Sequence, residues 1–205
     1  MSESEPRVAL TFDAEHPDRP LCPPGNADRI LDALRDADVR ATFFLQGRWA
    51  RSQPVIARRI AEDGHLVGHH SHYHARMPLL TDDGLRQDVR EGEEAIREIA
   101  GADPRPWFRC PFGAGHDDAR VLGALKELGY RNVHWDVELE DWEPWRSAPD
   151  IARDAVDGAL ARGDGAIVLL HTWPDPTAAA VPTILEELAA NGARFVGIDE
   201  LDGPR

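Results

Sequence analysis

His70 and His74 stand four residues apart, a spacing that on a helical turn puts two imidazoles on one side and lets two nitrogens reach one metal at about 2.0 to 2.1 Å. His65, His69 and His72 crowd around them. Asp13 and Glu15 flank a small residue at the end of the first apolar run, and two carboxylates so close are costly unless a cation or a proton separates them. One would ligate the metal and the other would take a proton from an attacking water, with a metal position left open for that water. Arg109 precedes the Cys110-Pro111-Phe112-Gly113 turn, where proline fixes the backbone and glycine permits close approach to a ligand. Its guanidinium is suited to holding Asp13 in place. His171 ends the most apolar run of all, and Asp141 can orient and charge its imidazole, as an acid that protonates a departing amine requires. A backbone N–H in the 111–113 turn would hold the oxyanion, which makes Phe112 and Gly113 candidate substrate contacts. Trp142 offers a face on which a sugar ring can stack, Leu169 on the strand leading to His171 is a further candidate substrate contact, and Trp135, Trp145 and Trp173 add aromatic surface. The chemistry these residue types support together is metal-assisted hydrolysis of an amide.

These groups follow the ends of successive apolar runs. Strands are expected at Val8–Phe12, Ala41–Leu45, Leu66–His69, Trp107–Arg109, Asn132–Val137, Ala166–Leu170 and Phe195–Ile198. Amphipathic stretches separate them. Asn26 can cap a helix over Ala27–Ala37, and Pro54 suits the first turn of Val55–Glu62. Thr81 opens Asp82–Ala100, and further helices are expected over Asp117–Leu128, Pro149–Ala161 and Thr177–Ala190, with glycines or Asn191-Gly192 closing them. The alternation predicts an α/β fold of parallel strands, and polar candidates after at least five strands favour a distorted seven-stranded (β/α) barrel over an open sheet. No glycine-rich dinucleotide fingerprint follows the first strand.

The 205 residues suffice for one substantial core and read as a single domain over 1–205. With 23 Lys and Arg against 37 Asp and Glu, a net charge of −14 argues against nucleic acid and anionic membranes as partners. The acidic N-terminus lacks the apolar stretch of a secretory signal, so the expected location is cytoplasmic. Cys22 and Cys110 are expected to be reduced thiols, and Pro17-Asp18 to turn the chain after the first strand.

The five runs, with connecting text such as Ala41-Thr42-Phe43-Phe44-Leu45 and Gly64-His65-Leu66-Val67-Gly68-His69, resemble the polysaccharide deacetylases of the NodB-homology class. The resemblance implies a metal-dependent deacetylase acting on non-peptide carbon-nitrogen bonds, with zinc or a similar divalent metal and an N-acetylated sugar as substrate. It implies Asp13 as general base, His70 and His74 as ligands, Arg109 as partner of Asp13, and His171 as general acid with Asp141 as its partner. The family's usual first motif has two adjacent aspartates, the second a ligand, and Ala14 stands at that second position. Glu15 is therefore the expected third ligand, with His16 or water as substitutes. Two alternatives stay open: a hydrolase of small linear or cyclic amides and imides, like allantoinase-like relatives, and an inactive carbohydrate-binding relative.

Overall fold

The computed structural model describes residues 5–16 and 24–201, which leaves Cys22 and the Pro17-Asp18 turn outside the described residues. The strands are β1 (Arg7–Ala14), β2 (Thr42–Leu45), β3 (Leu66–His69), β4 (Trp107–Phe108), β5 (Arg131–Asn132), β6 (Val137–Glu138), β7 (Ala166–His171) and β8 (Arg194–Phe195). The α-helices are α1 (Asn26–Asp36), α2 (Gly47–Ser52), α3 (Pro54–Glu62), α4 (Asp82–Ala100), α5 (Ala119–Glu127), α6 (Ala148–Arg162) and α7 (Asp175–Ala190). The described residues form two compact units, one built on residues 5–12, 24–42 and 135–201, the other on 13–16 and 43–134. We refer to them as the terminal and the central unit.

In the central unit the strands lie in the order β5-β4-β3-β2, and β3–β4 and β4–β5 pair in parallel. Met77, Leu85, Val89, Phe108, Cys110, Val121, Leu125 and Tyr130 form its core between α4, α5 and the strands. The helix α4 is capped by Thr81, whose hydroxyl accepts from the Gly84 N–H at 3.1 Å, and it ends on Gly101 in the left-handed region. Its buried stripe of Leu85, Val89, Ala95 and Ile96 explains its inward face. Where α2 nears α4, a Cβ on Gly92 would lie 2.6 Å from the His69 ring and one on Gly47 would lie 2.8 Å from the Gly92 Cα, so only glycine allows this approach.

In the terminal unit the order is β6-β7-β1, with β8 parallel to β1 and β6 parallel to β7. Every residue of β7 is buried, as its continuous apolar run requires. The helix α7 packs against both α1 and α6.

The parallel strand-helix alternation expected from the pattern is thus observed, with four local corrections. The single strand expected over 132–137 is two strands, β5 and β6, because the carbonyls of Val133 and His134 between them accept hydrogen bonds from Arg109 instead of continuing a ladder. The last strand is shorter, and residues Ile198–Glu200 form a 3-10 turn. Gly25, at φ 95°, takes the N-cap place expected for Asn26, whose side-chain amide is buried and donates to the Trp173 carbonyl at 2.9 Å. The short helix α2 was not legible in the pattern, being less than two turns long.

Candidate metal and acid-base site

The parallel register of the central unit levels its strand ends. His69 pairs with Phe108, so His70 and Arg109 leave adjacent strands side by side. The ladder continues past the strand ends, with Gln46 N–H donating to Ala14 O, His70 N–H to Leu45 O and Arg109 N–H to His69 O at 2.9 to 3.0 Å.

There the side chains of Glu15, His70 and His74 converge, each offering one ligand atom, all within 4.8 Å of one another and all buried. Glu15 Oε2 lies 3.1 Å from His70 Nε2 and also contacts His74 Nε2. His70 Nδ1 lies 2.9 Å from the Arg109 carbonyl, to which it must donate, and that choice of tautomer turns the Nε2 lone pair toward Glu15. Two imidazoles and a carboxylate with that orientation fit a divalent ion that accepts nitrogen and oxygen donors. Burial works against charge on His70, yet the carboxylates of Asp13 and Glu15 outweigh it and raise its pKa above the ordinary histidine value. The spot thus attracts positive charge. At His74 burial dominates and lowers the pKa despite the bond to Glu15.

The convergence of His70 and His74 does not come from a helical turn, because the segment after β3 is a loop in which Ser71 and His74 have φ near 60°. Ser71 Oγ accepts from the His74 N–H at 2.8 Å, and the carboxylate of Asp88 on α4 accepts from the His72 and Tyr73 N–H groups at 2.9 and 3.0 Å. Sequence reasoning missed Asp88, although it is the only acid on the buried face of α4, next to Val89, and that position was the signal. His69 fixes the start of the loop: its Nδ1 accepts from the Ser71 N–H at 2.9 Å and its Nε2 donates to the Val89 carbonyl at 2.8 Å. Burial lowers its pKa to about 3, so it stays neutral in this structural role.

Asp13 stands beside the cluster, with Oδ2 3.5 Å from His70 Nε2 and Oδ1 2.9 Å from Arg109 Nη1. Arg109 is fully buried, donates to the Val133 carbonyl at 3.2 Å and lies 4.1 Å over the Phe44 ring. It is therefore held on every side that positions Asp13. Among the expected substrate contacts, Phe112 is half exposed, at φ 58°, with its ring 4.4 Å from that of His74. The Gly113 N–H is spent on the Cys110 carbonyl at 3.0 Å and Pro111 has none, which narrows the expected oxyanion donor to the Phe112 N–H. Cys110 is a free, buried thiol.

The terminal unit brings together the other expected pair. Because Glu138 pairs with Leu169, the chain beyond β6 runs beside the end of β7, and Asp141 reaches His171. Asp141 Oδ1 lies 2.7 Å from His171 Nδ1, and its Oδ2 accepts from the His171 N–H at 2.9 Å and from the Thr177 hydroxyl at 2.6 Å. All three residues are buried. Thr177 was expected only as a helix start, and its hydroxyl in the first turn of the helix that follows His171 was the available signal. The Trp142 ring meets that of His171 edge-on at 5.0 Å, and Trp173 does so at 6.2 Å. Leu169 is buried within β7, whereas Trp145 is largely exposed.

Residues 1–133 match the sequence profile of the family described as polysaccharide deacetylase. The chain is 32% identical over 204 residues to a peptidoglycan-N-acetylglucosamine deacetylase of Listeria monocytogenes, covering all of this chain but only 40% of that protein. A family 4 carbohydrate esterase from Streptomyces lividans, solved with acetate, superposes with a TM-score of 0.80 at 31% identity, covering 93% of this chain and 91% of that one. A CE4 family pseudoenzyme from Bacillus anthracis gives a TM-score of 0.84 at 27% identity, covering 97% of this chain and 66% of that one. Among the described residues no helix is long and apolar enough to cross a membrane.

Proposed function

The chain belongs to the polysaccharide deacetylase family, and from that premise we propose that it is a metal-dependent hydrolase that removes N-acetyl groups from an amino sugar or oligosaccharide, leaving acetate and a free amine. The observation that carries this reading is the buried convergence of Glu15, His70 and His74 beside an Asp13 clamped by Arg109.

Held by Glu15, His70 and His74, a divalent ion, zinc in our reading, would supply a Lewis acid for the acyl oxygen and lower the pKa of a bound water. Asp13 is the general base. Arg109 occupies its Oδ1, so Oδ2 is the oxygen that takes the proton as water attacks the amide carbon. The Phe112 N–H donates to the oxygen on which charge develops. His171 is the general acid, giving the proton on Nε2 to the departing amine. Asp141 holds its Nδ1 and offsets the positive charge, and Thr177 with the His171 N–H fixes that carboxylate. Trp142 provides the face on which the sugar ring stacks. Both Asp13 and His171 are present, which favours an active enzyme over a binding-only relative.

The test is acetate release. Zinc-reconstituted protein is incubated with N-acetylated chitooligomers and peptidoglycan fragments, and acetate is expected from at least one of them. Protein that carries zinc and releases no acetate from either, but releases ammonia or a ring-opened acid from small amides and imides, would replace the sugar reading with the amide one.

A further inference from the structure

Glu15 carries one methylene more than an aspartate would at this strand end, and a longer side chain has more rotamers to lose before it can present one oxygen to two imidazoles. The structure supplies a restraint for it. His16 Nε2 lies 2.8 Å from Glu15 Oε1, while the other oxygen, Oε2, is the one that faces His70 and His74. The His16 backbone has φ 55°, a region that non-glycine residues seldom adopt and that costs on the order of 1 kcal/mol. That conformation is braced, since the His16 N–H donates to the side-chain oxygen of the buried Gln46 at 3.1 Å, and the Gln46 N–H in turn donates to the Ala14 carbonyl. The His16 ring also meets that of His74 edge-on at 4.6 Å. One small loop therefore ties the turn, the imidazole and the carboxylate together.

We propose that His16 is a positioning residue for the metal site: by holding Glu15 Oε1 it makes Glu15 a one-oxygen ligand aimed at the point where His70 and His74 meet. His16 itself stands outside the converging triad of Glu15, His70 and His74, which separates this role from that of a fourth ligand. A donor that holds the far oxygen of a ligating carboxylate pre-orients it and stiffens the site, and loss of such a partner typically lowers metal affinity about 10- to 100-fold. The inference rests on the proposed function only in taking the triad to be the metal site.

The experiment measures Zn²⁺ affinity of the full chain by competition with a chromophoric chelator, together with the visible absorption of the Co²⁺-substituted protein. Wild type, His16→Ala and His16→Gln are compared, the glutamine amide keeping an N–H donor near the position of Nε2. His16→Ala is expected to bind Zn²⁺ about 10- to 100-fold more weakly and to change the Co²⁺ bands, while His16→Gln stays within about threefold of wild type. His16→Ala with unchanged affinity and spectrum would overturn the proposal. So would His16→Gln as weak as His16→Ala, because a direct ligand or a merely packed ring is not replaced by an amide. Failure of the wild type to bind Zn²⁺ at all would instead overturn the metal site, a result read before any variant is compared.

Discussion

The two units each anchor a buried histidine through Nδ1, but they use different acceptors. In the central unit His70 Nδ1 meets a backbone carbonyl, that of Arg109, and in the terminal unit His171 Nδ1 meets the carboxylate of Asp141. A neutral carbonyl fixes the tautomer without adding charge, which leaves Nε2 as a lone pair suited to a cation, and Glu15 on the opposite side offers the negative charge that would hold one. A carboxylate at Nδ1 does something else, since it compensates an imidazolium and suits the ring to giving a proton away. The same side chain is thus suited to ligation in one unit and to proton donation in the other through a single change in the group behind it.

The sharpest way to break this comparison is to remove the charge that sets up the central unit. Glu15→Ala should lose stoichiometric zinc, measured by elemental analysis after gel filtration, and with it all detectable acetate release; retained zinc at wild-type affinity would remove Glu15 from the ligand set. Next come the proton-transfer groups. Asp13→Asn and His171→Ala are each expected to lower kcat about 10²- to 10⁴-fold with zinc still bound and the circular dichroism spectrum unchanged, and wild-type turnover from either would end its assigned role. A smaller effect should refine the terminal unit. Thr177→Val deletes one hydrogen bond to Asp141, a loss of about 0.5 to 1.5 kcal/mol, so kcat should fall about two- to tenfold while Zn²⁺ affinity stays at the wild-type value. A matching change in metal affinity would show that the residue acts on overall stability instead.

A separate effect, on stability and not on turnover, concerns Cys110, which follows Arg109 and whose thiol burial pushes up from 9.0 to about 12. As the pH rises through 9 the unfolded chain loses this proton while the folded chain keeps it, so the stability the thiol contributes below pH 9 is lost progressively toward about pH 12. In a Cys22→Ser background, urea unfolding followed across that range should fall more steeply with Cys110 present than in Cys110→Ala. Equal slopes would contradict the burial of the thiol.

Much of the fold was legible because its signals are local. Thr81 and Gly101 bracket α4 by their capping chemistry alone, and the run that forms β7 is apolar up to its last residue, His171, as a strand covered on both faces must be. The break between β5 and β6 was not legible, because it exists to aim two carbonyls at a guanidinium 24 and 25 residues away along the chain. Similarly, four-residue spacing drew attention to His70 and His74 for a helical reason that the structure replaces with two positive-φ residues, Ser71 and His74, and the reach of Asp88.

By itself the sequence determined which chemical groups are present and at which strand ends they emerge, since residue type and hydrophobic period are properties of short stretches. Tertiary structure alone decided which oxygen of Glu15 faces the histidines, which nitrogen of each imidazole is committed, and that Thr177 and Gln46 hold what they hold. Those are matters of hydrogen bonds between residues far apart in the chain, and their directions follow from parallel register and packing, which no local pattern encodes.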